Sequence, residues 1–421
     1  MRPSHSPDFL AEHARLTRRW FLSSLATGTM ASGSFPAWGA APPADALAGP
    51  LAKLEPYFTA PEAFRDVSRG TPLPHSLPAA KKREVGLTRE TWKLEVIADA
   101  DHPPKLGKQF TRAGKNALDF EDLLRLGKKH AVRFPKIMTC LNIGCPLGMG
   151  LWEGVPLREI VWLTKPKADL RRVVYHGYHN DDPKQLFRAS LPVGRILEDY
   201  GDLPPVILCY KLNGQWLDSE RGGPVRIIVP EAYGFKSIKW LSHVVLTNLA
   251  HANDTYAHGN NDIDSPLKTF ASTLSVPSTG KANAPIPVTG YAQVGISGLS
   301  KVQVWVSSNA KSWPADDPYF VDAPWRDARI LPPPKQWGGK LVGDAIPKGT
   351  LGFDPKTGAP RAWPMRLCKV HWATQLPGLP AGDYTLRCRT VDARGQGQPM
   401  PRPFRKSGHC EIEAVKITLA D

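Results

Sequence analysis

The chain has 421 residues, 42% hydrophobic and 22% charged, with a formal net charge of +15 at pH 7. That length exceeds one ordinary core and predicts two globular domains with terminal segments, while 42 prolines, about twice the usual share, argue against a helical bundle. The positive surplus favours an anionic substrate or an acidic partner; the basic residues are dispersed and no nucleic-acid motif occurs, which excludes nucleic acid.

The chain opens with Thr17-Arg18-Arg19-Trp20-Phe21-Leu22, a twin-arginine pattern followed by a short apolar run and small residues at 37–41. It reads as an export signal over residues 1–40, too short to span a membrane, and predicts a periplasmic protein with no transmembrane segment after its removal. Residues 41–86 are rich in Pro and Ala and predict an irregular arm. Residues 91–97 alternate as a strand, 120–126 are helical, and 131–140 form a strand that ends on Cys140. A Gly-rich loop and a turn at Trp152-Glu-Gly-Val-Pro-Leu157 follow. Residues 157–163 read as a helix, 172–175 as a strand and 193–199 as a helical turn. Strands 206–212 and 215–218 flank Asn213-Gly214, a strong hairpin signal. Residues 225–229 and 243–247 add strands. Without a regular βαβ period or a glycine-rich dinucleotide fingerprint, 87–271 is a mixed α+β domain and not a Rossmann fold.

The polar stretch 272–285 reads as a linker. Beyond it, 286–294, 301–307, 365–372, 384–391 and 411–419 are strand-like and predict an all-β sandwich over 286–421. The proline-rich excursion 313–364 is expected on the surface or against a partner chain. Six cysteines are too sparse for a disulfide scaffold, and Cys209 and Cys388 read as core residues. His176 and His179 have a zinc-compatible spacing but lack a nearby third ligand.

Several stretches can carry chemistry. A thiolate at the end of a strand, beside glycines that let another group approach closely, suits a soft metal; Cys140 holds that place, with Cys145 its rival in the same loop. The Gly222-Gly223-Pro224 turn admits a flat ring system, and the forked guanidinium of Arg226 suits phosphate or ring oxygens. Residues 234–239 offer backbone amides and the ammonium groups of Lys236 and Lys239 to a phosphate. Asp181-Asp182-Pro183 is either a turn or an acid near the reacting centre, and Tyr256 either an exposed loop tyrosine or a substrate contact.

Taken together, the segment from Lys136 to Leu157 and the segment from Leu212 to Trp240 resemble the sulfite oxidase family of molybdopterin enzymes. Cys140-Leu-Asn142 is similar to the family's cysteine loop, and Gly222-Gly-Pro-Val-Arg226 with Lys236-Ser-Ile-Lys-Trp240 to its pterin-binding pattern. Arg69-Gly-Thr-Pro-Leu-Pro-His75 stands where the family carries an Arg-Asn-His motif. The resemblance implies a sulfite-oxidase-type molybdopterin domain followed by an immunoglobulin-like dimerisation domain, through which a homodimer would form. It implies molybdenum and molybdopterin as cofactors, Cys140 as the metal ligand, and cofactor contacts from Asn142, Arg221, Arg226, Ser237, Ile238 and Lys239. Asp182 and Tyr256 stand where the family places catalytic-site groups. Arg221 replaces a histidine of many sulfite oxidases, a permanent cation where they carry a titratable ring. The implied activity is oxo transfer involving a small anion, with sulfite dehydrogenase first and an S- or N-oxide reductase as the alternative. Without a Cys-x-x-Cys-His motif, electrons must pass to a separate carrier such as a cytochrome c. A non-enzymic exported binding module is the reading from a different class.

Overall fold

The computed structural model describes residues 45–421 apart from Met400. The twin-arginine stretch lies outside the described residues. Eighteen strands organise the described chain. The first ten are β1 (Lys93–Ala98), β2 (Leu118–Asp119), β3 (Val132–Thr139), β4 (Pro146–Pro156), β5 (Arg172–Gly177), β6 (Arg188–Pro192), β7 (Ile207–Leu212), β8 (Gln215–Trp216), β9 (Arg226–Ile228) and β10 (Leu241–Thr247). They form two five-stranded sheets, one ordered β2-β1-β10-β5-β6 and the other β3-β4-β7-β8 with β9 also paired to β7. Leu94, Val96, Val173, Tyr175 and Val244 from the first sheet meet Val155, Leu208, Tyr210 and Ile227 from the second in one buried core.

Local signals account for the placement of several elements. Helix Phe120–His130 opens with a capping box in which Asp119 accepts from the Asp122 amide at 2.8 Å and Asp122 accepts from the Asp119 amide at 3.0 Å. The Asn213-Gly214 turn has φ of 52° and 81°, left-handed at both positions, and it joins β7 to β8 as a tight hairpin. Helix Leu157–Leu163 lies where its apolar spacing predicts it.

The stretch read as a turn is instead strand up to its last residue: Trp152-Glu-Gly-Val-Pro156 is the second half of β4, which pairs antiparallel with β3 from Val132↔Gly154 to Thr139↔Pro146, and Leu157 opens the helix. Its glycines let neighbours press against the strand. A Cβ at Gly148 would meet the Phe64 ring at 2.5 Å, and one at Gly154 would meet the Leu208 carbonyl oxygen at 2.1 Å. Residues 140–145, which hold both Cys140 and Cys145, are therefore the connection of a β3–β4 hairpin.

The remaining strands are β11 (Phe270–Ser275), β12 (Thr279–Lys281), β13 (Ile286–Gln293), β14 (Lys301–Ser308), β15 (Arg326–Ile330), β16 (Lys369–Leu376), β17 (Gly382–Val391) and β18 (Glu413–Ala420). They follow a single eight-stranded path, β11-β13-β16-β15-β14-β17-β18-β12, around one apolar core that includes Val288, Val304, Trp372, Leu386 and Cys388. The C-terminal part is thus all-β as predicted. In place of two separate sheets, β15 pairs with both β14 and β16 and joins the two halves. Residues 272–285, expected as a linker, are built into this sheet: β11 pairs with β13 and β12 with β18, because polar edge strands satisfy their backbone groups there.

The proline-rich excursion is also corrected. Trp337, Leu341 and Phe353 are buried and share a core with Tyr57 and Phe58 of the N-terminal arm and with Ile137, Met149 and Leu151 of β3 and β4. The arm itself contains helices Asp45–Ala52 and Ala79–Glu84 and single 3-10 turns at Pro61–Ala63 and Pro74–Ser76, and is irregular between them. It runs beside β4, with the Thr59 amide donating to the Met149 carbonyl at 2.7 Å and the Arg65 amide to the Leu147 carbonyl at 2.8 Å. Among the described residues no helix is long and apolar enough to cross a membrane.

Candidate active site

A cavity of about 350 Å³ lies where the β3–β4 hairpin loop, the arm and the segments flanking β9 meet. Cys140, Asn142, Arg221, Arg226, Ser237, Ile238, Lys239 and Tyr256 all line it. Asp182 does not. It stabilises a turn by accepting from the Lys184 amide at 2.9 Å and from the Gln185 side chain at 3.1 Å, and Gln185 is the residue that faces the cavity. The fold delivers these groups from distant parts of the chain. β3 ends one residue before Cys140, and β9 begins at Arg226.

The two loop cysteines differ in surroundings. Cys140 lines the cavity as a free thiol, whereas Cys145 accepts a hydrogen bond from Arg65 Nη1 at 3.1 Å and lies outside the lining. Asn142 Nδ2 donates to the Tyr256 hydroxyl at 3.0 Å, tying the cysteine loop to the opposite wall. Tyr256 stacks on Phe235 at 5.3 Å and meets Phe187 edge-on at 5.1 Å. The Arg69 guanidinium sits 4.9 Å from the Phe187 ring centre and 5.7 Å from that of Tyr256. Two residues before Tyr256, Asp254 is fixed within the protein. Lys236 Nζ reaches Asp254 Oδ2 at 2.5 Å and the Ser190 carbonyl at 2.8 Å, an ion pair buried at both ends.

Both ammonium groups expected to face a phosphate are therefore engaged within the protein. Lys236 pairs with Asp254. Lys239 Nζ donates to Asp66 Oδ1 at 2.9 Å, Ser68 Oγ at 2.6 Å and the Glu220 carbonyl at 2.7 Å, which ties the arm across the cavity. Burial, reinforced by Arg226 nearby, pushes the Lys239 pKa down to about 8, against the opposing pull of Asp66. The same bond, with two from Ser68, holds Asp66 down at about 2 although its burial acts the other way.

The arginines retain capacity for a ligand. Arg226 donates to the Arg221 and Ser237 carbonyls, both at 2.7 Å, and lies 5.5 Å from the Trp152 ring centre. Arg221 donates to the Phe64 carbonyl at 2.7 Å and contacts the Glu220 carboxylate. Both side chains are at most 5% exposed, and the Nε of each lacks a hydrogen-bond partner in the protein. Burial pushes the Arg226 pKa down to about 10. Buried donors without acceptors carry a desolvation cost that an oxygen-rich ligand relieves. At Gly222, with φ of 96°, a Cβ would strike the Lys239 side chain at 2.6 Å, so this turn can only be close-packed as glycine. A basic, partly apolar cavity with unsatisfied guanidinium donors and one free thiol fits a phosphorylated pterin whose metal takes a sulfur ligand.

Sequence reasoning did not assign Asp66, Ser68, Phe187 or the Lys236–Asp254 pair. Arg69 alone was marked, by the motif it occupies. Ser68 and Phe187 lie in segments without periodicity, and only the folded arm and the loop before β6 carry them to the cavity, while Asp66 and the Lys236–Asp254 pair stand outside its lining.

These features define a cofactor-dependent oxidoreductase class, and the comparisons agree. Residues 112–255 match the oxidoreductase molybdopterin binding domain. The chain is 26% identical over 266 residues to NADPH nitrate reductase of Neurospora crassa, covering 58% of this chain and 24% of that protein. It is 26% identical over 269 residues to sulfite oxidase of Gallus gallus, covering 59% and 50%. It is 25% identical over 223 residues to the catalytic subunit MsrP of a protein-methionine-sulfoxide reductase of Ralstonia nicotianae, covering 48% and 65%. The chain thus spans less than two thirds of each of these relatives. The sulfane dehydrogenase SoxCD of Paracoccus pantotrophus shares the fold, with a TM-score of 0.52 and 16% identity over 80% of this chain and 79% of that one. Residues 112–255 thus match a molybdopterin-binding oxidoreductase domain, whose cofactor is molybdenum on molybdopterin, and the chain is similar to sulfite oxidase and nitrate reductase. The binding-module reading gives way to this match.

Proposed function

We propose that the chain is an exported, periplasmic molybdenum oxidoreductase that exchanges an oxygen atom with a small anion, with sulfite as the first candidate substrate. The observation that carries this reading is the convergence of Cys140, Asn142, Arg221, Arg226, Ser237, Ile238, Lys239 and Tyr256 on one cavity. When bound, molybdenum on its pterin supplies the two-electron oxygen-transfer chemistry. The chain's own residues do the rest. Cys140 would provide the thiolate ligand. Arg221 and Arg226 would hold the pterin or its phosphate, and the Lys239–Asp66 bond holds the arm in place as the outer wall. The Tyr256 hydroxyl accepts from Asn142, which leaves its own proton for an anion's oxygen, and Arg69 adds positive charge beside it. Asp182 acts at one remove by orienting Gln185.

Electrons leave or enter through a separate carrier such as a cytochrome c, since the chain encodes no covalent haem motif. The C-terminal domain is proposed to pair two copies of the chain, which sedimentation of the purified protein checks. Similarity to the MsrP subunit supports a second reading, reduction of an S-oxide in the same cavity.

Purified protein matured with cofactor machinery is expected to hold about one molybdenum per chain and to oxidise sulfite with a dye as acceptor. Cys140→Ser keeps the fold and the pterin but loses turnover, and Cys145→Ser stays active. An inactive Cys145→Ser beside an active Cys140→Ser reverses the ligand assignment. Turnover only with a reduced dye and a sulfoxide selects the second reading.

A further inference from the structure

The segment before β6 has two faces. Gln185 and Phe187 line the cofactor cavity, whereas Leu186 and Arg188 line a separate cavity of about 140 Å³, the alternation of an extended chain. The other charged or titratable groups lining this second cavity are Asp99, Arg172, His176 and His251. Arg172 indicates what it can hold. Its side chain is 8% exposed, and its two terminal nitrogens reach Ser190 Oγ and the Ala250 carbonyl, both at 3.3 Å. Its Nε has no partner in the protein. Arg172 thus lines the cavity with a buried guanidinium whose hydrogen-bonding capacity is incompletely used, which favours a ligand that brings an acceptor.

Arg188 adds a second guanidinium, of which one nitrogen donates to Asn253 Oδ1 at 2.8 Å. The acidic side is weaker. Asp99 Oδ1 already accepts from the Asp101 and His102 amides at 3.1 and 3.3 Å, and the nearby Asp254 is closed off by Lys236 and Ser190. Burial, then the stacked His243, push the His176 pKa down to about 3, so this wall is a neutral ring. His251 is exposed at the cavity's edge. The volume equals that of about five liquid waters, too small for a pterin and enough for an anion of a few heavy atoms.

We propose that this second cavity binds a small tetrahedral oxyanion, held by Arg172 and Arg188 with His251 at its mouth. The inference rests on this cavity alone and stands or falls separately from the reading of the cofactor site. Sulfate and phosphate share the chemistry that the site recognises.

The test is calorimetric titration of the cofactor-loaded protein with sulfate and, separately, phosphate, against chloride at constant ionic strength. Saturable binding of one oxyanion in the second cavity is expected, with the tighter of the two identifying the ligand. Arg188→Gln and His251→Gln are each expected to weaken it about tenfold, with circular dichroism unchanged from the parent. Arg69→Gln, which alters only the cofactor cavity, is expected to leave that binding intact. Absence of saturable oxyanion binding, or binding lost in Arg69→Gln and retained in the other two variants, overturns the proposal.

Discussion

Lys239 lies in the cavity wall, yet its ammonium group is bonded to Asp66, Ser68 and the Glu220 carbonyl. The consequence is that a cavity cation serves first to fasten the arm. Asp66→Ala removes the one charged partner of that ammonium's three in a partly buried site, and is expected to cost about 1–3 kcal/mol of stability. Pterin content per chain, measured after oxidative release, should fall with it; full pterin retention would show that the arm closes without this bond. Lys136 presents a different balance. It is fully buried, with its ammonium donating to the Ile137 and Ala232 carbonyls at 3.1 and 2.9 Å, and burial pushes its pKa down to about 7. The unfolded chain keeps that proton up to the ordinary lysine value of 10.5, so between pH 7 and 10.5 it binds more protons than the folded one. Stability contributed by this group therefore rises with pH across that window, and below pH 7 its cost is constant. In Lys136→Met the rise in urea midpoint between pH 7 and 10 should flatten; an unchanged slope would assign it to other groups.

The β3–β4 hairpin is the element that makes a six-residue loop into a rigid presenter of sulfur. Its strands are hydrogen-bonded from Val132↔Gly154 to Thr139↔Pro146, and β4 is paired on its other edge to β7. The loop is thus anchored at both ends within a sheet. Close approach of β7 at Gly154 is the condition for that arrangement, since a methyl group there would overlap the Leu208 carbonyl. Gly154→Ala is expected to destabilise by about 1–3 kcal/mol, read as a lower urea midpoint. Gly150→Ala is expected to cost less, because the nearest atom there is the end of the Leu212 side chain, which can turn aside.

At the scale of the molecule, the arm and the excursion 313–364 work as one structure. The Phe58 amide donates to the Trp337 carbonyl at 2.8 Å, their rings lie 5.0 Å apart, and Tyr57 packs edge-on against the same indole. The excursion thereby holds the arm beside β4, and the arm supplies one wall of the cavity through Phe64, Arg65, Ser68 and Arg69. Trp337 is 4% exposed, so Trp337→Ala is expected to cost about 3–5 kcal/mol. Limited proteolysis should then cut within residues 57–75 sooner than in the parent protein; an arm equally resistant in both would show that it is held from elsewhere.

By itself, the sequence determined the periodic elements and named most of the residues that converge on the candidate cavity. Strand alternation, the Asn213-Gly214 hairpin and the apolar spacing of Leu157–Leu163 act over a few residues, so the chain carries them legibly. Cys140, Arg226 and their neighbours were visible for a related reason, since residue types suited to a metal and a phosphate stand beside glycine turns that need no distant partner. Tertiary structure decided what depends on contacts far apart in the chain. It made Trp152-Glu-Gly-Val-Pro156 a strand, because β3 and β7 pair with both of its edges. It turned Lys236 and Lys239 from phosphate donors into the partners of Asp254 and Asp66, and assigned Asp182 to a turn. Those outcomes follow from which charges and edges meet once the apolar faces are buried, and no local window of sequence contains both halves of such a meeting.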